Sequence, residues 1–187
     1  MTDPRTTALL VMDFQPAILA ALPDTDGLIA RVASAVEGTR AHGGTVAHVR
    51  VAFTDADWAA VPAANRAFAF LAERRLLRHD DPAADFHPRL APEPGDVVVR
   101  KTRVGALSTT GLDATLRERG ITGLVLAGVT TSGVVLSTAL EAADRDYRLT
   151  VLADGVADPD PALHEALMGG VLARVAEVAD SGGLWGG

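Results

Sequence analysis

A series of short apolar runs, each closed by a polar or charged residue, constrains this chain more than any other feature. Ala8-Leu-Leu-Val-Met12 stops at Asp13. Thr45–Val51, Asp96–Arg100, Gly123–Gly128 and Leu149–Leu152 are further runs of this kind. They leave Arg50, Lys101, Thr130-Thr131 and Asp154 at or just past their ends. A strand that is apolar at consecutive positions must be covered on both faces, as in a parallel sheet sandwiched by helices. Helical spacing fills the intervals. Leu28–Ala41 ends at Gly43-Gly44, and Leu112–Arg119 ends at Gly120. Thr131–Asp144 follows, then Pro161–Leu172 with its proline in the first turn. Ala173–Val178 reads as a last strand. The alternation predicts an α/β fold of three layers (α/β/α, Rossmann-like) with a mostly parallel sheet of about six strands.

The 187 residues suit one domain spanning 1–187. Hydrophobic residues reach 48% but aromatics only 4%, so a two-sided core must be aliphatic. The stretch from Ala52 to Gly95 is the irregular part. It holds Pro62, Pro82, Pro88, Pro92 and Pro94, interrupted by a helix predicted over Ala63–Leu77. A long excursion of this sort within a domain reads as a cover over a binding site.

A net charge of -7 argues against a nucleic-acid binder, which needs clustered Lys and Arg. Arg74, Arg75 and Arg78 are followed by Asp80 and Asp81 and read as a solvated helix end. No apolar stretch approaches the ~18 residues of a membrane span. Met1–Thr7 lacks a basic region followed by an apolar run. The expectation is a cytoplasmic protein with a small-molecule partner, and neither nucleic acid nor membrane. Cysteine is absent, which removes disulfides, thiolate catalysis and cysteine metal ligands together.

In parallel sheets ligands bind beyond the carboxyl ends of the strands, so residues distant in sequence can converge there. Asp13, leaving a buried strand, can serve as general acid or base, or cap the next helix. Lys101 can stabilise negative charge beside it, or extend its ammonium to solvent from a strand end. Gly128-Val-Thr-Thr-Ser-Gly-Val134-Val-Leu-Ser-Thr138-Ala is a strand–turn–helix passage. Its backbone N–H groups suit an anion or oxyanion, while Thr131 and Ser132 suit plain N-caps.

Three segments taken together resemble the signatures of isochorismatase-like hydrolases. They are Val-Met-Asp13-Phe-Gln15, Val-Arg-Lys101-Thr-Arg-Val-Gly-Ala-Leu-Ser-Thr-Thr-Gly-Leu, and the glycine segment just quoted. The resemblance runs in order from about Ala8 to Val178. It extends to His48-Val-Arg50-Val and Asn65-Arg-Ala-Phe68, which are similar to segments bordering the pocket in some members. It implies a triad of Asp, Lys and Cys, with Asp13 and Lys101 in the first two places and Val134 in the cysteine's place. It also implies that Gln15, Arg50, Asn65, Thr130 and Thr131 bind substrate.

Members with the cysteine include nicotinamidases and other amide hydrolases, which pass through a thioester. Valine cannot form one. True isochorismatases also lack the cysteine and use the aspartate as an acid on a vinyl ether, but they tend to carry glycine where Val134 stands. Ser132 and Ser137 are candidate replacement nucleophiles, or capping and packing residues. The family's metal site uses an Asp-x-His pair and a later His. Here the nearest text is Asp55-Ala-Asp57-Trp58, and His79 and His87 are isolated, so neither metal nor cofactor is expected. Family members commonly self-associate, and Val171–Val178 with Leu184-Trp185 suggests unburied apolar surface, so a homo-oligomer is expected, a dimer or higher.

Two functional readings follow. One is a hydrolase without a covalent intermediate, acting on a small anionic or carbonyl-bearing molecule. The other is a catalytically silent member that binds a small molecule or serves in assembly. A dinucleotide-binding oxidoreductase is disfavoured, since no Gly-x-Gly-x-x-Gly follows the first strand.

Overall fold

The computed structural model describes residues 3–185. Six strands form one all-parallel sheet: β1 (Thr7–Met12), β2 (Thr45–Val51), β3 (Val97–Lys101), β4 (Gly123–Val129), β5 (Arg148–Ala157) and β6 (Glu177–Ala179). Their order across the sheet is β3-β2-β1-β4-β5-β6. The helices are α1 (Pro16–Leu19), α2 (Asp26–Ala41), α3 (Asp55–Ala59), α4 (Ala69–Glu73), α5 (Leu112–Glu118), α6 (Leu136–Ala143) and α7 (Pro161–Gly170).

The apolar runs of β1, β2, β4 and β5 serve two cores, one on each face of the sheet. Successive side chains of a strand point to opposite faces. Ala8, Leu10 and Met12 of β1 join Leu112 and Leu116 of α5 and Ala139 and Ala142 of α6 on one face. Leu9 and Val11 join Leu28, Ile29, Val32 and Val36 of α2 on the other. A third cluster, Val51, Phe53, Trp58 and Phe68, sits over the carboxyl end of β2. It concentrates much of the chain's scarce aromatic content.

The irregular segment is a cover, as its composition suggests, but its helix is much shorter than the predicted Ala63–Leu77. Only Ala69–Glu73 is α-helical. Arg75 and Leu77 take positive φ, 51° and 57°, which ends the helix. The chain then returns to the sheet, where the Phe53 amide donates to Leu77 O and the His79 amide to Phe53 O. A capping box between Thr54 and Asp57 starts α3, and Arg100 of β3 donates to Asp57 at 2.6 Å. The cover is therefore pinned to the strand ends it overhangs.

Other boundaries shift for tertiary reasons. The helix expected over Thr131–Asp144 opens as a π-type turn, Thr131–Val135, before α6 begins. β5 runs past Leu152 to Ala157, with a register shift against β4 between Leu126 and Gly128. The last strand is Glu177–Ala179, because Leu172–Arg174 form a 3-10 turn.

Candidate active site

In the observed strand order, β2 and β3 are added on one side of β1 and β4 to β6 on the other, so the winding of the sheet reverses between β1 and β4. That is where a parallel sheet leaves a crevice outside its carboxyl ends. A cavity of about 280 Å³ lies there. It is walled by Asp13 after β1, Val51 ending β2, Lys101 ending β3, and Val129 and Thr130 at the exit of β4. Gly133 and Val134 of the π-type turn add one side; Ile18, Phe68, Leu71, Leu77 and Val104 complete it. The volume is just below the usual ~300–1,000 Å³ of ligand pockets, which fits a small occupant.

Asp13 takes φ 61°, a left-handed conformation costing roughly 1 kcal/mol for a residue with a Cβ. Its amide still donates to Val49 O at 2.9 Å, so the turn forms directly at the carboxyl ends of β1 and β2. The carboxylate is buried and meets the Lys101 ammonium at 2.7 Å through Oδ2. Its other oxygen, Oδ1, is buried and has no hydrogen-bond partner. Burial pushes the Asp13 carboxyl above the usual carboxylate range, and the Lys101 charge pulls against that shift. Lys101 also donates to the carbonyls of Val104 at 2.8 Å and Arg103 at 3.2 Å. An ammonium has three protons, so all of its donors are engaged.

Of the remaining residues expected at the site, Thr130 and Val134 line the cavity. Thr130 Oγ1 accepts from the Gly133 amide at 3.1 Å, which leaves its hydroxyl proton for another acceptor. The peptide bond Val129–Thr130 is cis. Gly128 lets the turn approach the sheet: a Cβ there would lie 3.0 Å from Val135 Cγ2 and 3.2 Å from Met12 O.

The others are brought elsewhere. Gln15 is fully buried, but its amide donates to Val51 O and Ala84 O and accepts from the Val51 amide, fastening the cover to β2. Arg50 donates to Ala84 O at 3.1 Å, pairs with Asp85 at 3.4 Å and lies over Phe86. Asn65 accepts from the Phe68 amide through its side chain. Thr131 is buried and bonded to His164 Nδ1 at 2.8 Å. Asp154 lies inside β5, held by Ser181 and Arg31, not beyond a strand end. Ser132 bonds to Asp158 through both its amide and its hydroxyl, and Ser137 packs beside Gly105; neither lines the cavity. The amides of Ser132 and Gly133 are thus already paired, which narrows the oxyanion site that the turn suggested. His79 lies beside Asp80, and His87 Nδ1 accepts from the Arg89 amide. Among the described residues, no group of three His, Asp or Glu is placed to hold a metal ion.

The sequence reading missed the apolar walls contributed by Ile18, Leu71, Leu77 and Val104. Val51 and Val129 carried a signal, being the last apolar residues of their strands. Leu71 and Leu77 carried none, because the fold of the cover alone decides that they face the sheet.

The isochorismatase domain family matches residues 7–182. The ureidoacrylate amidohydrolase RutB of Methylobacterium radiotolerans is 33% identical over 191 residues, covering 90% of this chain and 74% of that protein. The uncharacterized isochorismatase family protein YwoC of Bacillus subtilis is 30% identical, covering 92% and 89%. Among solved structures, an isochorismatase family protein of Burkholderia thailandensis superposes with a TM-score of 0.80 at 29% identity, covering 95% and 93%. The N-carbamoylsarcosine amidase of Thermoplasma acidophilum gives 0.80 at 26% identity, covering 97% and 99%. With the architecture and these similarities in agreement, this cysteine-free chain belongs to the isochorismatase-like hydrolase family.

Proposed function

We propose that this protein hydrolyses a small molecule without a covalent enzyme intermediate, Asp13 carrying the proton and Lys101 holding the charge. One observation carries the reading: a buried Asp13–Lys101 ion pair at 2.7 Å in the wall of a largely apolar cavity. A carboxyl raised by burial holds its proton more readily than an exposed one, which suits it to proton transfer. Asp13 takes a proton from a water whose oxygen bonds to the electrophilic atom of the substrate. It returns that proton to the leaving group as the scissile bond breaks, so the enzyme ends as it began. Lys101 stabilises the carboxylate between the two transfers. Val134, placed by resemblance where relatives carry cysteine, contributes methyl groups and no nucleophile. Similarity to proteins named as amidohydrolases supports hydrolysis as the reaction class.

The second reading, a silent binding protein, is favoured by the same Val134. Asp13→Asn separates the two. It keeps the shape of the side chain and removes its ability to relay a proton. Assayed beside wild type on isochorismate and a panel of small amides, it should lose on the order of 10²–10⁴ in rate. A silent protein shows no turnover in either form, and its effects are confined to stability. Equal turnover by wild type and Asp13→Asn would sink the proton-carrier role.

A further inference from the structure

Resting on the proposed role of the Asp13–Lys101 pair, we infer that Glu141 of α6 is a positioning residue for Lys101. It fastens the segment that follows β3, and with it the two carbonyls that aim the ammonium at Asp13. A lysine needs such aiming. Its ammonium is a point charge on a flexible four-carbon stem, and once buried it needs an acceptor for each proton. Lys101 is the chain's only lysine. Besides Asp13, its acceptors are Arg103 O at 3.2 Å and Val104 O at 2.8 Å, both in the segment just after it. These carbonyls are aimed only as well as that segment is held, and residues 102–111 form neither helix nor strand.

What holds it is α6. Glu141 Oε2 accepts from the amides of Ser108 at 2.9 Å and Leu107 at 3.3 Å, and Oε1 accepts from the Ser108 hydroxyl at 2.7 Å. The buried Thr138 hydroxyl, one turn earlier, accepts from the Ala106 amide at 3.1 Å. Two details mark the clasp as specific. Arg145 stands four residues after Glu141, the spacing of a helix ion pair. Yet its guanidinium donates to the Glu141 backbone carbonyl at 2.6 Å, and the carboxylate turns to the loop. Gly105 lets the loop come close: a Cβ there would lie 2.5 Å from Glu141 Oε1 and 2.8 Å from Ser137 Oγ. α6 also continues directly from the π-type turn carrying Val134, so one helix fixes both that turn and the loop that aims Lys101.

A purely structural Glu141 would stabilise the fold and leave Lys101 undisturbed, and the single lysine lets the two roles be told apart. Full-length protein grown on ¹⁵N,¹³C-lysine gives one side-chain ammonium signal in NMR, that of Lys101. In Glu141→Ala its Nζ and Cε resonances should shift, and its ammonium protons should exchange faster with water. On isochorismate, benzamide or isobutyramide, whichever wild type turns over, kcat should fall at least about tenfold while KM changes less than about threefold, because a misplacement near 1 Å costs up to ~10²-fold. Glu141→Gln keeps an acceptor for the two amides, so its signal and rate should stay near wild type. Gly105→Ala retains the carboxylate but pushes it off the loop. It should act as Glu141→Ala does, and it decides the matter where Glu141→Ala does not fold. Lys101 signals in Glu141→Ala and Gly105→Ala that superimpose on wild type, whatever the melting temperatures, overturn the inference. So do a shifted signal with unchanged kcat, and a Glu141→Gln protein as impaired as Glu141→Ala. If wild type turns over none of the three compounds, the hydrolase reading fails on that result, and the Lys101 signal alone decides the positioning role.

Discussion

At the scale of single residues, the structure separates side chains that face the cavity from those that hold its walls. Asp13 and Lys101 act on the space itself, and their meeting depends on strand ends two positions apart in the sheet. Gln15 lies two residues beyond Asp13, yet all its side-chain hydrogen bonds go to backbone groups of Val51 and Ala84. Its role in this fold is to tie the cover to β2. Gln15→Leu keeps the volume and leaves three backbone groups without this partner. Each buried unsatisfied group costs ~1–3 kcal/mol, so a stability loss of at least about 2 kcal/mol is expected in urea denaturation. A Gln15→Leu protein as stable as wild type would contradict this assignment.

At the scale of elements, one polar cluster joins α2, β2 and the turn before β3. Asp96 accepts from Arg40 at 2.5 Å, from the Glu93 amide at 2.8 Å, and contacts buried His48 Nε2 at 3.1 Å. Burial depresses the His48 pKa; the Arg40 charge adds to this, and the opposing pull of Asp96 does not overcome it. The folded protein therefore resists protonating His48, while the unfolded chain takes that proton near the usual value of about 6.5. As pH falls below that value the unfolded state binds more protons, so stability declines. Asp96 behaves as a depressed carboxyl: burial alone would raise it, but Arg40, the Glu93 amide and His48 outweigh burial. Its contribution is present above about 3.9 and lost as pH falls further. Asp13, raised, has the opposite sign, its contribution present at low pH and lost as pH rises. His48 by itself should therefore lower the melting temperature as pH falls from about 7 to 5, so wild type should lose more stability than His48→Gln across that range. An unchanged slope in His48→Gln would assign the acid sensitivity to other groups.

At the scale of the whole molecule, the expected apolar surface is only partly present. Trp185 is not free: its indole donates to Thr39 at 3.0 Å and stacks near His42, closing the chain against α2. Val171 and Val178 remain exposed, as do Leu140 on α6 and Leu163 on α7. β6 pairs only with β5 and leaves an open sheet edge among the described residues. Unpaired strand edges and apolar side chains together favour self-association. We propose a homo-oligomer on this basis. Light scattering at micromolar concentration should return a multiple of the 19.4 kDa chain mass. A monomer mass throughout would remove the proposal, and Val178→Lys should shift any dimer toward monomer.

The sequence by itself determined the layer architecture, because consecutive apolar residues in short runs have no stable place except a sheet covered on both faces. It also determined the Asp13–Lys101 pairing as a possibility, since each residue closes an apolar run at the carboxyl end of a strand in a parallel sheet. It did not determine the helix in the cover, where Arg75 and Leu77 adopt positive φ so that the chain can rejoin β2. Nor did it place Gln15, Arg50, Asn65 and Thr131. Each is a polar residue near the site in sequence whose side chain is drawn to a closer backbone or histidine partner. Asp154 was misplaced for a related reason: β5 continues through a register shift that no local pattern announces. Local periodicity fixes which elements exist, because burial demands it residue by residue. Which polar groups are left over for a ligand depends on every hydrogen bond already made, and that count exists only once the chain has folded.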